Sequence, residues 1–149
     1  RGEAKGAVDT LKSMGIKIRM ITGDGRPSAA GIGEQLGLEE CDVKSDLLPE
    51  EKMAEVANMV KENERRRKEA CWGRKRAVMM VGDGVNDAPA LSAADVSVAM
   101  GEGAAMAMDA ADITLMDSDL HKLPFIINTG RRVVNTIVQN VVFSLVVKA

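Results

Sequence analysis

Two carboxylates four residues apart, Asp83 and Asp87, with Asn86 beside the second, stand in the stretch AVMMVGDGVNDAPAL. Hard oxygen donors gathered without His or Cys suit Mg²⁺, which takes one or two carboxylates, several waters and a phosphate oxygen. The apolar run Ala77–Val81 before them reads as a fully buried strand of a parallel sheet. In an open α/β sheet, ligands bind beyond the carboxyl ends of the strands. A strand that ends in Gly82-Asp83-Gly84 therefore delivers the Asp83 carboxylate to that crevice, and the glycines allow a tight turn and close approach of a ligand. Taken alone, the tripeptide reads first as an Asp/Gly-rich β-turn. The whole string GDGVNDAPAL is far more specific.

A second group of chemistry-bearing residues follows the strand-like run Ile16–Ile21 (IKIRMI). Thr22 offers a hydroxyl and Gly23 a backbone N–H at a strand's carboxyl end, which is what a phosphoryl oxygen requires. Asp24 comes next, before a helix expected over about Pro27–Leu36 and stopped by Gly37. Thr22-Gly23-Asp24 reads equally well as an N-capping turn of that helix. Lys52 falls in the first turn of a helix that Pro49 can start, with Met53, Val56, Ala57 and Val60 on one face. A cation there opposes the helix dipole, and by itself it reads as a solvated lysine.

The rest of the chain must position these groups. Ala4, Ala7, Val8, Leu11 and Met14 recur at helical spacing before Gly15. Cys41–Lys44 reads as a short strand. After the Gly-Asp-Gly loop come a helix over Ala88–Ala94, a strand over Val96–Ala99, a small-residue helix over Ala104–Ala110 and a strand over Ile113–Met116. That alternation predicts an α/β fold, a parallel sheet with helices on both faces. Met79, Met80, Met100, Met106 and Met108 read as core filler, and His121, the one histidine, as a surface residue.

One domain's worth of core fits in 149 residues, and a net charge of −2 gives no global field toward nucleic acid or membrane. Cys41 and Cys71 are far apart and form no CxxC, so they make neither a disulfide framework nor a zinc site. Lys61–Arg76 (KENERRRKEACWGRKR), with the lone Trp72, is the one charge-dense stretch and reads as a solvated helix end and loop. No signal peptide precedes the first helix, and the sequence reads as a piece cut from a longer one.

Four strings together resemble the P-type ATPases, whose phosphorylation domain has the three-layer, Rossmann-like haloacid-dehalogenase fold. They are MITGD (Met20–Asp24), LPEEK (Leu48–Lys52), GDGVNDAPAL, and ADVSVAMGEGAAMAMDAADITLM (Ala94–Met116). The resemblance implies the C-terminal part of a phosphorylation domain over 1–120, cytoplasmic, in an integral multi-pass membrane enzyme. The intact pump would form an aspartyl-phosphate from Mg²⁺ and ATP and hydrolyse it, coupling both steps to ion movement. By the same resemblance Thr22, Gly23 and Lys52 grip the phosphoryl group, and Asp24 shapes the approach of nucleotide. Asp83 ligates Mg²⁺, with Asp87 a possible second ligand, while Asn86 and Asp87 hold the hinge and orient the attacking groups. Gly25 stands where the family usually has asparagine. The nucleophile motif DKTGT is absent, so the segment itself holds no residue to be phosphorylated.

From Leu123 the sequence turns apolar, with Arg131-Arg132 between Phe125–Ile127 and Val133–Val147. The second run is too short to be called membrane-spanning from hydropathy, though a basic cytoplasmic flank fits a span. The resemblance makes 121–149 a stalk and the start of a transmembrane helix in the lipid bilayer. Lys148 lies about two helical turns past Gln139-Asn140. An ionisable residue inside a membrane helix is a functional hypothesis, against a lysine snorkelling to the interface. QNVVFSLVVKA resembles the matching helix of pumps exporting Zn²⁺, Cd²⁺ or Pb²⁺, whereas copper-carrying relatives show a Tyr-Asn pair and this chain has no tyrosine. The expected cargo is thus a divalent heavy metal, with Lys148 lining its path without ligating it. Two alternatives remain: a soluble phosphatase of the same superfamily, and a non-catalytic Mg²⁺-binding remnant.

Overall fold

A computed structural model describes residues 2–69, 76–83, 86–101, 111–117 and 119–148. The chain divides into two compact units, residues 19–118 and residues 1–18 with 119–149. The expected helix 104–110, Cys71 and Trp72 lie outside the described residues.

In the larger unit, β1 (Met20–Ile21) pairs in parallel with β2 (Val43–Lys44), and β3 (Met79–Gly82), β4 (Val96–Met100) and β5 (Ile113–Leu115) form a parallel sheet in that order. The helices between them are α2 (Arg26–Gln35), α3 (Pro49–Glu69) and α4 (Ala88–Ser92). The α/β class with parallel strands and intervening helices is as expected. The described strands, however, make two sheets in place of one. Strand length also differs. Ile16–Ile21 shrinks to Met20–Ile21 and Cys41–Lys44 to Val43–Lys44, because a ladder runs only as far as both partners do; Cys41 joins a 3₁₀ turn over Glu40–Asp42.

Nor is β3 fully buried. Among the described residues it is an edge strand, and Met80 alone of its residues is buried, while central β4 buries Ser97, Val98 and Ala99. The core beneath β3 joins Val56 of α3, Met80, and Ala90 and Leu91 of α4, with Ile21, Met59 and Val78 packed against it. Met53, expected on the packed face of α3, is exposed and Met59 takes its place. The reason is rotation: the inward stripe of α3 runs through Lys52, Val56 and Met59, one turn-face away from Met53.

The smaller unit pairs α1 (Gly2–Ser13) with α5 (Lys122–Lys148), burying Ala7, Val8, Leu11 and Leu123. Gly15 and Gly37, at φ of 76° and 65°, terminate α1 and α2. In both, the next two N–H groups return to the last turn: Gly15 to Lys12 and Ile16 to Leu11, Gly37 to Glu34 and Leu38 to Gly33. The apolar tail is one continuous helix, and no helix of the described residues is long and apolar enough to cross a membrane.

Candidate active site

At the carboxyl end of β3 the chain leaves Gly82 for Asp83, which is exposed, and re-enters the described structure at Asn86, also exposed. Asp87 occupies the N-cap of α4 and its carbonyl accepts the Leu91 N–H at 2.8 Å, but its carboxylate makes no capping bond. It turns instead to Lys52, whose Nζ donates to Asp87 Oδ1 at 2.8 Å. Both side chains are only 16% exposed. Gly82 makes this possible. A Cβ there would lie 2.7 Å from Asp87 Oδ2 and 2.9 Å from its Cβ, so a side chain would displace the carboxylate from its partner.

Lys52 is delivered by the start of α3. Leu48 precedes Pro49, and Glu51 reaches back so that its Oε2 accepts the Leu48 N–H at 2.7 Å, half of a capping box. One residue later Lys52 projects from the first turn. The helix dipole disfavours it there, and the Asp87 carboxylate offsets that cost.

The second loop is built from backbone. Thr22 N–H donates to the Lys44 carbonyl at 2.9 Å, extending the β1–β2 ladder, and Thr22 O accepts from Leu47 N–H at 3.1 Å. Asp24 O accepts from Asp46 N–H at 2.9 Å, and Thr22 Oγ1 accepts from Asp24 N–H at 3.1 Å. The N-capping alternative for Asp24 fails: Gly25 holds the N-cap of α2, with no side-chain bond. Gly23 and Asp24 are exposed, and the Gly23 N–H has no partner among the described residues. Because Ile21 packs on the core that holds Met80, Val56 and Leu91, both loops spring from one core.

The structure thus brings Lys52 to Asp87, and Thr22 to Asp24, and leaves Asp83 and Asn86 exposed on the same hinge. Lys148 lies on α5 of the other unit, in a shallow groove on one helix face with Asn140 and Ser144. His121 is exposed, as expected.

Two supporting carboxylates escaped the sequence reading. Asp95 Oδ2 accepts the Val78 N–H at 2.9 Å just before β4. Asp112, just before β5, accepts both the Ser97 N–H and the Ser97 hydroxyl at 2.8 Å, and its own N–H donates to Ser97 Oγ at 2.9 Å. The Ser97 N–H, then its hydroxyl, hold the Asp112 carboxyl below its ordinary value. These clamps fix the strand starts, opposite the site. The signal was the repeat Ala94-Asp95-Val96 and Ala111-Asp112-Ile113.

The family pattern of haloacid dehalogenase-like hydrolases matches residues 1–95. The chain belongs to that family. Among curated relatives, a copper-exporting P-type ATPase of Staphylococcus aureus (strain JH9) is 41% identical over 140 residues, covering 94% of this chain and 16% of the relative. This haloacid dehalogenase-like chain therefore spans about a sixth of the relatives it matches. A solved zinc-transporting PIB-type ATPase in the E2·Pi state superposes with a TM-score of 0.76 at 36% identity, over 94% of this chain and 21% of that one. The catalytic domain of the CPx-ATPase CopB-B gives a TM-score of 0.65 at 33% identity, over 85% and 45%. A cobalt-bound octulosonate 8-phosphate phosphatase of Haemophilus influenzae, at 16% identity and a TM-score of 0.64, shares the fold.

Proposed function

We propose that residues 1–120 are the C-terminal part of the phosphorylation domain of a heavy-metal P-type ATPase, and residues 121–149 its stalk and the start of a membrane helix. One observation carries the reading: at the end of a parallel strand, an exposed Asp83 stands on the same hinge as a Lys52–Asp87 ion pair. Asp83 and Asp87 offer oxygen donors without His or Cys, a set that fits Mg²⁺, with Asp83 the principal ligand because Lys52 already engages Asp87. Bound there, Mg²⁺ neutralises charge on the transferring phosphoryl group. Thr22 and the Gly23 N–H bind phosphoryl oxygens, Asp24 borders the nucleotide's approach, and Lys52 supplies positive charge held in place by Asp87. Asn86 and Asp87 keep the hinge in shape. ATP is the donor. The aspartate it phosphorylates is in another part of the pump, so this segment alone does not become labelled from γ-labelled ATP.

In the full-length protein, Asp83→Asn is expected to lower phosphoenzyme formation from ATP by about 10²–10³-fold, the scale of losing one preorganised charge-stabilising group. Near-normal labelling would sink the assignment.

The cargo we propose is Zn²⁺, Cd²⁺ or Pb²⁺. Its support is Lys148, aligned with Asn140 and Ser144 on one face of α5, together with the lack of any tyrosine. A protonated lysine cannot ligate a divalent cation, but it can act as a built-in counter-ion that aids release. The copper-exporting relative favours the competing cargo. ATPase activity of the whole pump stimulated by Cu⁺, with none by the three divalent metals, would reverse the assignment. The apolar face of α5, with Val133 to Val147 more than half exposed, fits the bilayer as its surroundings.

A further inference from the structure

Asp46 is the one non-glycine residue with positive φ among the described residues, at 57°. Its place explains why. Asp46 N–H and Leu47 N–H donate in succession to Asp24 O (2.9 Å) and Thr22 O (3.1 Å). In extended backbone successive N–H groups point to opposite sides, whereas a left-handed residue lets neighbours face the same way. The next N–H, of Leu48, goes to Glu51 Oε2, and the Lys52 N–H goes to Leu48 O, which starts α3. A single turn therefore joins the Thr22-Gly23-Asp24 loop on one side to the Lys52 helix on the other. There is little slack in it: a Cβ on Gly23 would sit 3.1 Å from Leu47 O.

We infer that Asp46 is a positioning residue, whose left-handed backbone sets Thr22 and Gly23 at the right separation from Lys52. The inference rests on the phosphoryl-transfer reading above. The backbone carries the role. The Asp46 side chain is exposed, and its one hydrogen bond among the described residues is from the neighbouring Ser45 hydroxyl, at 3.0 Å. Asp is one of the few residues besides Gly and Asn that enter this region at modest cost, while β-branched residues do so at high cost.

The test is a series in the full-length protein: Asp46→Gly, Asp46→Asn, Asp46→Ala and Asp46→Val, with rates of phosphoenzyme formation and the KM for ATP. Gly and Asn are expected within about twofold of wild type, Ala slower by a few-fold and Val by about tenfold or more, with KM for ATP unchanged. If Asp46→Val does not fold, the contrast between Ala and Gly carries the same information. Loss in Asp46→Gly as deep as in Asp46→Val overturns the inference, because the side chain is then what acts. Wild-type rates across the series, with Asp83→Asn inactive, also overturn it and leave the proposed function standing. A wild-type pump that forms no phosphoenzyme removes both.

Discussion

The loop at Thr22–Asp24 and the loop at Gly82–Asp87 leave strands that share a core, yet they are held by different forces. The first is pinned by main-chain bonds to Asp46 and Leu47, so its shape depends on backbone angles and is indifferent to charge. The second is held by an ion pair whose partners are 35 residues apart, Lys52 and Asp87, and by the absence of a side chain at Gly82. A loop fixed by backbone bonds is suited to offering N–H groups to a ligand. A loop fixed by a charge pair can exchange that pair when another charge arrives. The two should accordingly break in different ways.

Gly82→Ala is the largest expected break outside Asp83, the proposed Mg²⁺ ligand. The new methyl would meet Asp87 Oδ2 at 2.7 Å and its Cβ at 2.9 Å, and neither can yield without moving the start of α4. Overpacking of this kind costs about 1–3 kcal/mol, and displacement of Asp87 should slow phosphoenzyme formation by about 10²-fold. Gly23→Ala, which meets Leu47 O at 3.1 Å, should cost less of both. Thermal unfolding and phosphorylation rates of the two variants side by side decide the matter. Equal effects would mean that the two loops are not held differently.

Lys52→Met follows in size. It removes the charge from α3 but keeps most of the stem, leaving the Asp87 carboxylate, 16% exposed, without its ion-pair partner. A loss of about 1–3 kcal/mol is expected for such a group left without its hydrogen bond. Raising ionic strength should weaken the wild type little, because pairs this sheltered are poorly screened. A wild-type unfolding curve that collapses in high salt onto that of the variant would show that the pair is solvated.

How much of this was legible in the sequence depended on distance along the chain. The β3 strand and α4 are local and periodic, so their presence could be read directly from AVMMVGDGVNDAPAL, whereas the partial exposure of β3 depends on which strands flank it and could not. Lys52 meeting Asp87 was readable from neither segment: the family resemblance placed Lys52 only at the phosphoryl group, and the pair with Asp87 is seen first in the structure. Strand lengths were overestimated because IKIRMI has six apolar-alternating residues, but β2 offers it only two partners. Asp95 and Asp112 were not singled out, since an aspartate before a strand gives no hint of which N–H it will reach. Asp46 was hidden in the same way: beside Leu47-Leu48-Pro49 it resembles any residue leading into a helix, and only φ distinguishes it.

Asp112→Ala tests holding by a carboxylate far from both loops, and its effect should be confined to stability. The variant strips partners from the Ser97 N–H and hydroxyl, on a residue that is 4% exposed. The sign of the pH dependence follows from the lowered pKa of Asp112. Its contribution is complete above the unfolded-state value of about 3.9 and is lost as pH falls through the lower folded value. Wild type and variant should therefore differ in melting temperature at neutral pH and converge in acid. Parallel curves down to the lowest pH at which the protein stays folded would remove the clamp.

Glu62→Gln is the smallest expected effect, and it sharpens the contrast because the titration looks alike. Arg66, by its hydrogen bond and then its charge, holds the Glu62 carboxyl below its ordinary value, as Ser97 does for Asp112. The sign is also the same: stability present above the unfolded value and lost as pH falls through the folded one. The consequence is not. Asp112 ties together strands 15 residues apart through a buried serine, whereas Glu62 and Arg66 are neighbours on one turn of α3, with side chains 41% and 60% exposed. Water and salt screen such a pair, and the helix keeps its geometry without it. The melting temperature of Glu62→Gln should match wild type at physiological salt and fall only slightly at low salt. A drop as large as that of Asp112→Ala would mean that the basic end of α3 is packed against something that its exposed side chains do not reveal.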